Sequence, residues 1–275
     1  MGRDVVNTSE SGERVRALYR QGDAVRTASP TLARIDSESR SQFGLASPDG
    51  TITRAELRSL VTQLALSPGN RLLDLGCGTG APAQQLTALS VASVIGVDLS
   101  QDRLRVAQGH PQQGHTSYVA ADVNRALPLR SASFDAAIQL DSVIHVADKL
   151  ALLSELKRVL RPRGRLAICS AAGEALDAAQ QARMAEVPGT LFRVTADRLE
   201  HLLREAGFTV LVQQDRRAML AAWHAHRLTV LEHAGPQLEA ELGMAESEKL
   251  LGRTRALVEL LETDVIDSVL LIAEN

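Results

Sequence analysis

The chain has 275 residues, 45% of them hydrophobic, enough for one large domain whose core needs no disulfide or metal staple. Its net charge is -3 with acids and bases interspersed, so no basic stripe marks it as a nucleic-acid binder. Cys77 and Cys169 lack metal spacing, the N-terminus lacks an apolar signal core, and no 18-residue apolar run occurs; a cytoplasmic protein without a membrane span is expected.

In chain order, residues 1–52 are polar and read as an arm or lid. They carry turn signals at Ser29-Pro30 and Pro48-Asp49-Gly50 and one short helix around Glu13–Arg20. Residues 53–216 read as the core, with helical and strand patterns alternating. A helix at 54–66 ends at Ser67-Pro68-Gly69-Asn70 and a strand follows at 71–75. A glycine-rich turn opens a helix at 81–89, followed by a strand at 91–97, a helix at 101–108 and a strand at 117–120. Next come a strand at 133–140 and a helix at 148–160, which Pro162 and Gly164 stop before a fifth strand, RLAICS. After a loop, Thr195 caps a helix at 196–206, Gly207 ends it, and a strand spans 208–213. Residues 217–263 form a helical insertion, and 264–275 supply the final strand, at 268–274. Strands alternating with helices imply right-handed crossovers and a parallel, doubly wound α/β sheet.

The informative run is Asp74-Leu75-Gly76-Cys77-Gly78-Thr79-Gly80 between strand and helix. Glycines let a ligand approach the backbone, and the following helix N-terminus suits a carboxylate. Asp98 ends the second strand, 18 residues past Gly80, where ribose hydroxyls are bound in such sheets. Asp122 and Asp141 follow the third and fourth strands, so all four acids fall at carboxyl ends of strands. As helix caps they need no ligand, and Asp148 is expected to be a cap alone. Gly76-Cys77-Gly78-Thr79-Gly80-Ala81 also satisfies a nicotinamide fingerprint. Against an NAD-dependent oxidoreductase, Asp74 stands where dinucleotide folds carry an apolar residue.

LLDLGCGTG, VIGVDLS and the stretch from ADVNRALPL through SFDAAIQL to VLRPRGRLAI together resemble class I S-adenosylmethionine-dependent methyltransferases. Gly80-Ala81-Pro82-Ala83, Asp141–His145 and the late helices resemble the bacterial natural-product group, its sugar O-methyltransferases and sterol-type relatives. The abundance of arginine over lysine fits a high-GC bacterial genome.

The resemblance implies a Rossmann-like seven-stranded sheet with its last strand antiparallel, and S-adenosylmethionine as methyl donor. Carried over by motif, Asp74 with Gly76, Cys77, Gly78, Thr79 and Gly80 hold the methionine end. Asp98 and Leu99 hold the ribose and adenine side, Asp122 and Val123 hold adenine, and Gln139 and Leu140 line the sulfonium mouth. Tyr19 helps close the site, although Arg20 replaces the acid that follows it in relatives. His145 is the candidate base for an acceptor hydroxyl, or else packs against the next helix. The carboxylate that partners it in relatives is replaced here by Ser170, which leaves Asp141 to orient His145 or to cap a short helix. His224 and His226, beside Trp223, read as a helix face or a substrate wall. No metal site is expected. The expected activity is methyl transfer to a small molecule, at oxygen before carbon or nitrogen; a homodimer is left open.

Overall fold

The computed structural model describes residues 8–90, 92–110, 115–185 and 190–275. Its strands are β1 (Arg71–Leu75), β2 (Ser93–Asp98), β3 (Thr116–Ala120), β4 (Phe134–Leu140), β5 (Leu160–Gly173), β6 (Thr209–Asp215) and β7 (Ile266–Glu274). They form one sheet in the order β3-β2-β1-β4-β5-β7-β6. β1 to β5 pair in parallel, and β7 lies antiparallel between β5 and β6. The helices are α1 (Thr8–Ala28), α2 (Pro30–Gln42), α3 (Arg54–Gln63), α4 (Ala81–Ser90), α5 (Gln101–Gly109), α6 (Lys149–Val159), α7 (Ala178–Arg183), α8 (Ala196–Glu205), α9 (Arg217–His233), α10 (Gly235–Leu242) and α11 (Met244–Glu262).

Helices cover both sheet faces, so the central strands are apolar on both sides. Leu73, Leu75, Ala137 and Ile168 face one core with Leu152, Leu156, Leu199 and Leu203. Leu72, Ala136, Ile138 and Leu140 face the other, with Leu57, Leu60 and Leu86. Chain order reverses between β1 and β4, which leaves a crevice at their carboxyl ends.

Four departures from the sequence reading have local causes. The N-terminal segment is two long helices, because Ser29 caps α2 with Pro30 in its first turn, so that pair starts a helix. Nor is the segment only an arm: Leu32 and Ile35 are buried with Leu231 and Leu238 of α9 and α10. α3 stops at Gln63 because Ala65 turns left-handed (φ +52°) and the Leu66 N–H closes back on Val61 O at 2.8 Å. β5 begins at Leu160, ahead of the Pro162–Gly164 stop. The extra residues bulge out between the pairs Phe134↔Leu160 and Ala136↔Arg165, with Arg163 at φ +64°. The expected first residue of the second strand, Val91, lies outside the described residues, as do residues 1–7 of the lid and 186–189 of the loop before α8.

β5 can leave the sheet after Gly173 because that residue sits at φ +134°, with Val265 O only 2.3 Å from where a Cβ would stand. Gly173→Ala is therefore expected to cost about 2–4 kcal/mol. Urea denaturation measures it, and an unchanged midpoint would show that the β5–β7 join relaxes freely.

Candidate active site

The first wall is the corner after β1. Gly76, Gly78 and Gly80 have φ of +72°, +55° and +80°, which glycine adopts without strain. A Cβ would stand 2.4 Å from the Ser142 side chain at Gly76 and 2.5 Å from the Tyr118 hydroxyl oxygen at Gly80. The N–H groups of Gly76 and Cys77 donate to Val97 O (2.7 and 3.1 Å), and that of Gly78 donates to Asp98 Oδ2 (2.8 Å). The corner is thereby tied to the tip of β2 and opens into α4.

Around it lies a cavity of about 1060 Å³, open mouth included. Asp74, Gly76, Cys77, Gly78 and Thr79 line it, as do Asp98, Leu99, Asp122 and Val123. Leu140, Asp141, His145 and Tyr19 complete the expected set. Two expected residues lie off the wall. Gly80 shapes the turn from behind. Gln139 is fully buried in β4, and neither end of its amide has a hydrogen-bond partner among the described residues. Strand alternation turns Gln139 away from the face that Leu140 presents, so it does not line the mouth.

The acids are held differently. Asp74 is buried, its Oδ2 has no partner among the described residues, and burial, helped by Asp98, pushes its pKa up to about 8. Asp98 accepts from Gly78 N and Ser100 N, both at 2.8 Å; burial raises its pKa and those bonds oppose the rise. Asp122 accepts from the Asn124 N–H at 2.9 Å. Asp148 caps α6 through the Ala151 N–H.

Asp141 sits at φ +58° and takes both of its hydrogen bonds from Thr51, whose N–H lies 2.7 Å from Oδ2 and whose hydroxyl lies 2.8 Å from Oδ1. It therefore does not orient His145, and the single 3-10 turn Val143–His145 has no side-chain cap. Burial raises the Asp141 pKa. Behind it, buried Arg216 donates to Thr51 O (2.7 Å) and pairs with Glu56 (2.6 Å). Ser170 donates to Ala171 O instead of facing the site.

His145 is oriented by other means. Its Nδ1 lies 2.6 Å from the main-chain carbonyl of Thr190, and its Nε2 lies 3.0 Å from the Tyr19 hydroxyl. A carbonyl only accepts, so Nδ1 carries the proton and Nε2 the lone pair, to which Tyr19 donates. Burial lowers the imidazole pKa and pushes the Tyr19 phenol up to about 12. His224 and His226 pack on α9 against Trp223 and Phe43.

Beside Tyr19, the sequence does not announce Arg26 of α1, Asp49 of the 47–52 loop or Arg103 of α5. Arg103 lies 4.5 Å from the Tyr19 ring centroid and pairs with Asp49, which also accepts from Arg26 of α1 at 2.8 Å. Gly12 places the α1 backbone on the adenine side, where an added Cβ would stand 3.3 Å from Leu99 and 3.8 Å from Asp122. Among the described residues no group of three or more His, Cys, Asp or Glu side chains could hold a metal ion, and no helix is long and apolar enough to cross a membrane.

Residues 73–168, the stretch that builds this corner and crevice, match the methyltransferase domain family. An O-methyltransferase of Pyrenophora dematioidea is 34% identical, over 71% of this chain and 75% of its own. The 27-O-demethylrifamycin SV methyltransferase of Amycolatopsis mediterranei is 31% identical, over 73% and 76%. The chain belongs to the class I S-adenosylmethionine-dependent methyltransferases. The fold of the cyclopropane synthase MmaA2 from Mycobacterium tuberculosis matches at TM-score 0.68 and 18% identity, over 84% of this chain and 88% of that one.

This membership makes the chain an enzyme that uses S-adenosylmethionine to methylate a small molecule, and removes the oxidoreductase alternative. The cavity fits that cofactor: it pairs an unpartnered buried carboxylate at Asp74 with a corner whose positive-φ glycines leave the backbone at Gly78 open to close approach by a ligand. Asp98→Ala is expected to weaken S-adenosylhomocysteine binding at least tenfold by calorimetry, since hydrogen bonds to a charged group are worth about 1.5–3 kcal/mol; unchanged affinity would remove Asp98 from the site. Because the Asp74 carboxyl holds its proton up to about pH 8, it must ionise to receive an ammonium. Affinity should therefore rise between pH 6 and 8 and lose that rise in Asp74→Asn.

Proposed function

We propose that this enzyme methylates a hydroxyl of a small secondary metabolite in a bacterial cytoplasm, with His145 as the base. S-adenosylmethionine supplies an electrophilic methyl on a sulfonium centre, so the protein has to position the acceptor, exclude water and remove one proton. One observation carries the reading: in the cavity of the glycine corner, the Thr190 carbonyl fixes His145 with its Nε2 lone pair facing inward.

On this reading Asp74 and the Gly76–Gly80 corner hold the methionine end, Asp98 and Leu99 the ribose side, and Asp122 and Val123 the adenine. Leu140, Ile52 and Val15 give the acceptor an apolar wall. The acceptor hydroxyl takes the place of the Tyr19 hydroxyl at Nε2, which receives its proton as the oxygen becomes nucleophilic. Thr190 stabilises the imidazolium through Nδ1–H, the part a fifth-strand carboxylate plays in sugar O-methyltransferases. Asp141, held by Thr51, shapes the wall beside the base. The names of the fungal and actinobacterial relatives support oxygen as the methylated atom.

His145→Ala is expected to cut turnover by about 10²–10⁴ while leaving S-adenosylhomocysteine affinity intact. A loss under threefold would retire His145 as the base. The active form is neutral imidazole, and burial lowers its pKa. Activity should thus persist on acidification below the ordinary histidine value of about 6.5 before falling, as a kcat/KM profile would record. An acidic limb centred above that value would contradict the burial argument.

A further inference from the structure

Of the two arginines in the cavity wall, Arg16 and Arg103, Arg103 is the buried one, and neither the base nor the strand-end acids explain it. It stands in the first turn of α5 and is only 6% exposed, yet it lines the cavity. Its Nη2 pairs with Asp49. Its Nε and Nη1 are buried and have no hydrogen-bond partner among the described residues. A buried guanidinium with open donors is costly unless an anion meets it. Its position says which anion. Nε lies 3.7 Å from where a Cβ on Gly78 would be, so the guanidinium packs against the glycine corner, three residues ahead of the first residue of α4, Ala81. Helix N–H groups and dipole on one side, with a cation on the other, make a two-sided clamp for an anion. The other charged side chains lining the cavity are Arg16 of α1 and the acids Asp49, Asp74, Asp98, Asp122 and Asp141, and the acids repel an anion elsewhere in the cavity.

We propose that Arg103 clamps the α-carboxylate of the cofactor's methionine moiety against the α4 N-terminus. The cofactor carries a single carboxylate, and its ammonium is the natural counterpart of Asp74 across the corner. Amino-acid recognition is then divided: Asp74 reads the cation and Arg103 the anion. Tyr19, under the Arg103 guanidinium, and Asp49, bonded to both Arg103 and Arg26, connect the carboxylate end to α1. The inference rests on the family's cofactor and not on the proposed acceptor hydroxyl or the role of His145.

The test is calorimetric titration of the full chain with S-adenosylhomocysteine, its decarboxylated analogue, which keeps the ammonium, and 5′-methylthioadenosine, which lacks both charges. Wild type should bind S-adenosylhomocysteine about tenfold to a hundredfold more tightly than the decarboxylated analogue. Arg103→Met should erase most of that preference and leave the affinity for the two carboxylate-free ligands within about threefold. Arg103→Lys, which keeps the charge without the fork, should restore part of it. Equal affinity of wild type for the first two ligands overturns the proposal without any variant, so it is decided even if Arg103→Met does not fold. Equal weakening of all three ligands in folded Arg103→Met, or of none, overturns it too. Loss of methylthioadenosine binding by wild type would instead count against the adenosyl site itself, separating that failure from this one.

Discussion

The bond from the Gly78 N–H to the Asp98 carboxylate holds the site together. It joins the tips of the neighbouring strands β1 and β2 across the turn between them. The corner could not be shaped by its own side chains, because three of its residues are glycines at positive φ. It is shaped from outside instead, by Val97 O below and Asp98 beside it. With the turn fixed, α4 starts in one place, and the four strand-end acids and Arg103 acquire a common centre. The bond also keeps Asp98 ionisable in a half-buried place where desolvation alone would drive it towards the neutral form.

A second constraint acts on the acceptor side. Asp141 holds a left-handed conformation at the end of β4, with its carboxylate bound by Thr51. Thr51 in turn accepts from Arg216, whose guanidinium also bonds Glu56, Cys169 and Ser268. This chain of bonds runs from β4 through the 47–52 loop to the residue that opens the helical insertion. The insertion and the wall beside His145 are therefore positioned by one buried arginine. Strain at Asp141 is tolerated because the network over-determines it.

The sheet and the corner were legible because both are written locally. Strand periodicity, LLDLGCGTG and acids at strand tips each occupy a few consecutive residues, so the sequence alone puts Asp74, Asp98 and Asp122 at the strand tips. What escaped was written across the chain. Arg103 lies in the run QDRLRVAQ, whose charges read as a solvated helix face, and only its meeting with Asp49 and Tyr19, 54 and 84 positions earlier, turns it inward. The partner of His145 Nδ1 is a main-chain carbonyl and not a carboxylate, and no residue type announces it. The N-terminal helices were under-read because α1 and α2 are mostly polar; burial of Leu32 and Ile35 against α9 and α10 orders α2 where periodicity is weak.

Charge balance explains why α1 belongs to the site and is not merely beside it. The cavity wall carries five carboxylates, from Asp49, Asp74, Asp98, Asp122 and Asp141, against two arginines, Arg16 and Arg103. An excess of acid suits a cofactor bearing a sulfonium and an ammonium, but like charges crowded at low dielectric repel one another. The offsetting groups come from the helices flanking the strand tips: Arg16 and Arg26 from α1, Arg103 from α5. Tyr19 is the point where this matters. Its hydroxyl donates to the His145 base and its ring lies under the Arg103 guanidinium. One side chain of α1 thus touches the group assigned to the acceptor and the group assigned to the cofactor carboxylate. Placement of α1 over the crevice and formation of both ends of the site are, for that reason, the same structural event.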